Sequence, residues 1–353
     1  IWINVCILRK AEILNNALIN MAREFEKKGV EFEDVIKMGR THLQDAVPIT
    51  LGEEMTSYGS VVRRCIWRIT RSLGALQNIN MGGTAVGTGL NAEVEYIKKF
   101  PPILSDLVGF QFESAPNLID TTNSTDCFAE VSSALKVSAL SLIKIANDMR
   151  LMASGPRCGF NEIKLPPRQP GSSIMPGKVN PVIAEVLDQT CYHVIGNDLA
   201  VTMAVENGQL ELNVMEPVLA FNLFNSFRYL TNAINTFTNL LLKDLKANKE
   251  QCQKWVDNSV GIITALLPHL GYEKCSAIAK EAYNQGTPVK EIIMREKLMT
   301  RERMEEILSP FEMTHPGIAG GKKYKTDVRR GAFLSLTSDK AETQKESIFV
   351  CFF

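Results

Sequence analysis

The chain has 353 residues, 22% charged and 45% hydrophobic, ordinary globular proportions with length enough for two domains and a sizeable core, so disorder is not the default. Lys plus Arg and Asp plus Glu number 39 each, which leaves no global basic field to draw the chain to nucleic acid or an anionic membrane. Any anion recognition must be local.

The opening segment carries Ile7, Ala11, Leu14, Leu18, Met21 and Phe25 in steps of four and three, one apolar stripe of a long helix, with Gly29 as its expected stop. A polar segment from Arg40 to Pro48 follows, and helix is expected to resume from about Leu51 to Met81. The glycine-rich run at 82 to 91 reads as a tight interhelical turn, because its spacing fits neither a Walker loop nor a dinucleotide fingerprint. A shorter amphipathic piece covers Ala92 to Val108. From Asn117 to Ser154 no internal Gly or Pro occurs, and Val131, Leu135, Val137, Leu142, Ile145 and Met149 mark another long helix ending at Gly155-Pro156. Two more, roughly Val182 to Val205 and Pro217 to Leu245, complete a central all-α bundle of five long helices over residues 1–247. Shorter helices at Lys249 to Asn258, Ser276 to Gln285, Val289 to Glu296 and Arg301 to Leu308 form an expected small helical domain at 248–320. Residues 321–353 lose apolar periodicity and are expected to be disordered or foreign to the fold.

Eight cysteines, at 6, 65, 127, 158, 191, 252, 275 and 351, form no CxxC pair and have no His at metal-ligand spacing, so they read as buried or free thiols. The first residues lack a secretory pattern, and no apolar run of about 18 residues appears elsewhere. A cytoplasmic location without membrane partners is expected.

The densest concentration of polar chemistry is GSSIMPGKVNP at 171 to 181. It joins two hydroxyls, hinge glycines, an ammonium and a carboxamide just before a proline that opens a helix, whose N-terminal amides favour an anion. This run resembles the signature loop of the aspartase/fumarase superfamily, whose members eliminate an amine or hydroxyl from succinyl-type substrates to leave fumarate. MGRTHLQDAVP at 38 to 48 and GGTAVGTGLNA at 82 to 92 resemble two further segments of that superfamily, and GQLELNVMEPV at 208 to 218 looks like its aspartase branch in particular.

The resemblance, which spans about Ile7 to Gly320, implies reversible elimination of ammonia from L-aspartate to fumarate through an aci-carboxylate, with stabilisation of that dianion as the dominant demand. It implies Ser172 as the base, acting as an oxyanion, and Ser173 as a donor to a substrate carboxylate. Lys178 and Asn180 would hold the other carboxylate with Thr41, and His42 would lie near the departing amine, its tautomer set by Glu185. An alkoxide at Ser172 requires a closed loop, backbone amides and the charge of Lys178 around it. It further implies a homotetramer whose central helices pool into a twenty-helix bundle, each site drawing on three chains. No cofactor or metal is implied, since Ser, Thr, Asn and Lys are a poor ligand set, and activation by divalent cations is left open. The superfamily's N-terminal domain and its Ser/Thr-Asn substrate segment have no counterpart here, so the 353-residue chain alone is expected to show little or no turnover. Two other readings stand beside this one: fumarate hydratase, and a catalytically incompetent helical oligomerisation scaffold. His193, His269 and His315 are expected to be structural or surface residues.

Overall fold

In the computed structural model the described residues are 1–169, 174, 175 and 177–321. The expectations placed on Ser172, Ser173 and the tail from 322 onward fall outside them.

The first helix, α1 (Trp2–Glu31), buries the predicted stripe: Ile7, Ala11, Leu14, Met21 and Phe25 are fully enclosed. It does not stop at Gly29. That glycine marks the place where α1 crosses the next long helix, because a Cβ there would lie 2.3 Å from Thr56 Oγ1, while one on Gly52 would lie 2.4 Å from the Gly29 carbonyl. Close backbone approach explains both residues.

The segment expected as a polar connector is a β-hairpin, β1 (Ile36–Thr41) and β2 (Gln44–Thr50). α2 (Leu51–Ser72) follows directly under a capping box, in which Glu53 N donates to Thr50 Oγ1 at 3.0 Å and Thr50 N to Glu53 Oε2 at 2.9 Å. α2 ends well before Met81, giving way to a 3₁₀ turn at Gly74–Gln77 and a short strand β3 (Asn78–Ile79) that pairs with β4 (Glu113–Ser114). Between those strands lie the glycine-rich turn and α3 (Val94–Val108). The expected helix from 117 is in two pieces, a single turn α4 (Asp120–Asn123) and the long α5 (Asp126–Met152), with Ser124 and Thr125 leaving the helix between them.

After α5 the chain forms β5 (Ile163–Lys164), then α6 (Val182–Glu206) and α7 (Glu216–Phe237), which widens into a π turn at Thr238–Leu242 before β6 (Lys246–Ala247) returns to pair with β5. The architecture is all-α: the strands are short pairs, and five long helices pack as α1 on α2 and α7, α5 on α2 and α6, and α6 on α7. Their apolar faces form one continuous cluster. A second cluster gathers Val256, Ile278, Ile292, Met304 and Ile307 from α8 (Lys249–Asn258) and the helices after it, together with Ile36 of the hairpin. The hairpin thus stands where the two clusters meet.

Candidate functional site

The hairpin tip carries Thr41 and His42. Thr41 pairs with Gln44, leaving a two-residue turn in which His42 and Leu43 both adopt positive φ, 53° and 58°. This is the backbone of a type I′ turn, whose twist matches the strands, but two bulky residues occupy it in place of Asn-Gly. Left-handed conformations cost non-glycine residues on the order of 1 kcal/mol or more and persist where the surroundings enforce them. Thr41 and His42 are held out into solvent by this turn.

A cluster of charged side chains lies at the hairpin's base. Lys37 Nζ donates to both Glu54 oxygens, at 3.0 and 2.9 Å, and lies 3.0 Å from Glu162 Oε2. Arg40 Nη1 donates to Glu162 Oε1 at 2.7 Å, and its guanidinium stacks over the Phe160 ring at 4.1 Å. Glu162 is fully buried and Lys37 is 3% exposed. Burial pulls the Lys37 ammonium toward neutrality, yet the charges of Glu54 and Glu162 outweigh it and its pKa lies above the ordinary lysine value. Burial also raises the Glu54 carboxyl, against the pull of Lys37.

The other half of the site is the approach to α6. Gly177 has φ 81°, Lys178 is exposed with its amide donating to the Met175 carbonyl at 3.2 Å, and Asn180 is half-buried. Pro181 stands at the N-cap of α6, and an anion is favoured beside the first turn of such a helix. Glu185 sits one turn in. Its Oε1 lies 3.9 Å from Arg150 Nη2, and Arg150 Nη1 donates to Asp188 Oδ2 at 3.0 Å. Burial raises the Asp188 carboxyl, with Arg150 opposing.

Within one chain, the described residues show no hydrogen bond or ion pair between His42 and Glu185, so the expected imidazole–carboxylate pair is absent at this level. The structure instead places Glu185 beside Arg150 and His42 on an exposed turn. His193 rests edge-on against Tyr229, while His269 Nε2 lies 2.7 Å from the Ala319 carbonyl and His315 stacks on Phe311. The seven described cysteines are free, and burial pushes the thiols of Cys191 and Cys252 up to about 12, where they are inert. Among the described residues no helix is long and apolar enough to cross a membrane.

A family described as "lyase" matches residues 3–196, over half of the chain, and another described as "fumarase C C-terminus" matches 262–315. The chain belongs to this lyase family. Among curated relatives, it is 56% identical over 302 residues to an aspartate ammonia-lyase of Bacillus sp, covering 86% of this chain and 64% of that protein. It is 51% identical to the aspartate ammonia-lyase of Bacillus subtilis (90% and 67% covered) and 45% identical to that of Escherichia coli K12 (84% and 63% covered). In solved structures, a fumarate lyase:delta crystallin from Brucella melitensis superposes with a TM-score of 0.86 at 41% identity, covering 89% of this chain and 68% of that one. A class II fumarase from Schistosoma mansoni gives 0.83 at 34%, covering 88% and 69%. The chain therefore spans under two thirds of the length of the Bacillus sp and E. coli relatives.

Against this lyase frame, the residues that sequence reading missed are Lys37, Glu54, Arg150, Glu162 and Asp188. Arg40 stands in the superfamily-like segment at 38 to 48, with no role expected for it. No local pattern marks these residues, since Arg40 and Glu162 stand 122 positions apart.

Proposed function

We propose that this protein, at the full length of its relatives, is an aspartate ammonia-lyase that reversibly eliminates ammonia from L-aspartate to give fumarate through an aci-carboxylate. What carries the reading is identity of 45–56% to proteins of that name, in a chain whose motif segments include the aspartase-like GQLELNVMEPV.

Abstraction of the Cβ proton leaves a dianion that needs donors fixed before it forms. Lys178, Asn180 and the first-turn amides of α6 are a carboxylate grip at one helix end, and Thr41 is a hydroxyl on a stiff turn that joins it. Ser172 takes the proton and Ser173 donates to the carboxylate, roles carried over from the superfamily. His42 stands near the leaving amine with Glu185 as its orienting partner. In the superfamily each site draws on three chains, so this pair would form between chains of a homotetramer. The described cysteines, all unpaired, suit a reducing cytoplasm.

The test follows fumarate absorbance from L-aspartate and from L-malate, using this polypeptide and a chimera completed with the segment of the Bacillus sp relative that it does not span. Turnover of aspartate by the chimera, with little or none by the shorter polypeptide, is the expected result. Preferential turnover of malate would replace the reading with fumarate hydratase, and a well-assembled chimera inert on both would leave a helical scaffold. In the active chimera Ser172→Ala is expected to collapse kcat with KM largely kept, whereas Lys178→Ala worsens both.

A further inference from the structure

The hairpin and the segment leading to the signature loop are tied together by one carboxylate. In a regular strand Lys37 and Arg40, three residues apart, would point to opposite faces of β1. The register shift between Met38 and Arg40 puts its extra residue on β2, where Ala46 and Val47 lie opposite Gly39, and at this irregular point of the hairpin both cations reach the same side chain, Glu162. Arg40 is fixed further by its bond to the Met38 carbonyl at 3.2 Å, and its Nε lies 3.9 Å from Asp45 Oδ1 on the opposite strand. Asp45 in turn accepts from Ser259 Oγ at 2.7 Å. Just beyond, a Cβ on Gly261 would lie 2.3 Å from the Ala46 carbonyl, so the hairpin is gripped from the C-terminal side as well.

Glu162 is itself immobile. Its amide donates to the Met152 carbonyl at 2.9 Å, and its carbonyl accepts from Asn248 N at 2.8 Å. The flanking carbonyls of Phe160 and Asn161 accept from Trp255 Nε1 and Asn248 Nδ2, both at 2.9 Å. β5 begins at the very next residue, Ile163, and the chain runs on toward residue 171. A fully buried carboxylate with two cations from one strand is thus anchored to the bundle, to α8 and to the root of the signature segment at once. A bundle needing only cohesion would have no use for an ion set of this kind in that place, since apolar packing does as well.

We propose that Glu162 is a positioning residue for catalysis: acting through Arg40 and Lys37, it fixes the angle at which the hairpin leaves the bundle and presents Thr41 and His42. The role rests on the lyase reading of those residues, and its mechanical part can be tested without that reading. In the completed tetrameric protein, Glu162→Gln keeps the shape and removes the charge.

The expected result is a fall in kcat of about 100-fold, the loss produced by a misplacement on the order of 1 Å, with a smaller change in KM and retained tetramer and helix content. Amides of residues 36–50 should exchange hydrogen faster while those of α5 and α6 do not. Arg40→Gln should give the same kcat loss, and the double variant should be no worse than either single one, because both substitutions cut the same tie. Near-normal kcat, additive losses or unchanged exchange in the hairpin would each overturn the proposal. If Glu162→Gln does not fold, Arg40→Lys decides the matter by the same exchange and kcat readings, since it keeps the charge and gives up the reach and the stack on Phe160. If the unsubstituted protein releases no fumarate from L-aspartate, the functional reading fails, and the exchange measurement still decides whether Glu162 sets the hairpin.

Discussion

At Lys37 two opposing effects meet, and their balance has a sign that can be measured. Burial favours the neutral amine, and the adjoining Glu54 and Glu162 carboxylates favour the ammonium more strongly, so the folded-state pKa lies above the ordinary 10.5. A group whose pKa rises on folding contributes stability that is complete below its unfolded value and is lost as pH climbs through the folded one. Glu54, also raised, acts in the acid range and leaves the alkaline window untouched. At about pH 8, Lys37→Met should therefore be destabilised by about 3–5 kcal/mol, the usual result of stranding buried carboxylates. As pH climbs past 10.5 and through the higher folded-state value, the unsubstituted protein loses that charge and the two melting curves should converge. Thermal melts followed by circular dichroism across that range check this, and a gap that stays constant would mean that Lys37 acts by packing alone. Thr41, His42, Lys178 and Asn180 were legible in the sequence as candidates because each sits in a motif with fixed order. Glu162 was not, because nothing local in Phe-Asn-Glu-Ile announces partners more than a hundred residues upstream.

Among the elements, the long helices were legible wherever an apolar stripe persisted over several turns, as in α1, α5, α6 and α7. Boundaries failed where a local device overrode the stripe: Gly29 reads as a stop but serves a helix crossing, and the hairpin hid because its polar tip breaks the alternation that marks strands. The loop after α6 shows how a motif residue can be structural. Asn213 is 3% exposed, and its Nδ2 donates to the Ala204 and Val205 carbonyls, at 3.0 and 3.2 Å, and to Thr125 Oγ1 at 2.9 Å. Its Oδ1 accepts from Met215 N at 2.9 Å. One side chain thus caps the end of α6, starts α7 and holds the entry to α5. Asn213→Ala leaves those buried groups unpaired and should cost about 2–3 kcal/mol in urea unfolding. Asn213→Asp should cost more, because it turns an acceptor oxygen toward helix carbonyls that already lack donors. Equal stability of the Asp variant and the native protein would show that the loop is held by other contacts.

On the scale of the whole molecule, α6 poses the sharpest question. Its inner face buries Ala184, Leu187, Cys191, Val194 and Val201, and its outer face still shows Val186, Tyr192, Leu199 and Met203 at 45%, 53%, 62% and 53% exposure. A helix apolar on all sides belongs in an interior, and one chain supplies only half of that interior. Residues 192, 199 and 203 recur at steps of seven and four, the spacing with which helices of separate chains interlock. The outward faces of α5 and α7, with Leu140 and Phe221 at 51% and 67%, add to the same unfilled surface. The homotetramer proposed above would cover this surface, and hairpin and α6 of different copies would meet in it. Tyr192→Glu with Leu199→Glu in the completed protein should therefore shift light-scattering mass from tetramer to smaller species, and lyase activity should fall in parallel with the tetramer fraction as the protein is diluted. A tetramer that survives both charges, or small species that keep full turnover, would separate the apolar face from the active site.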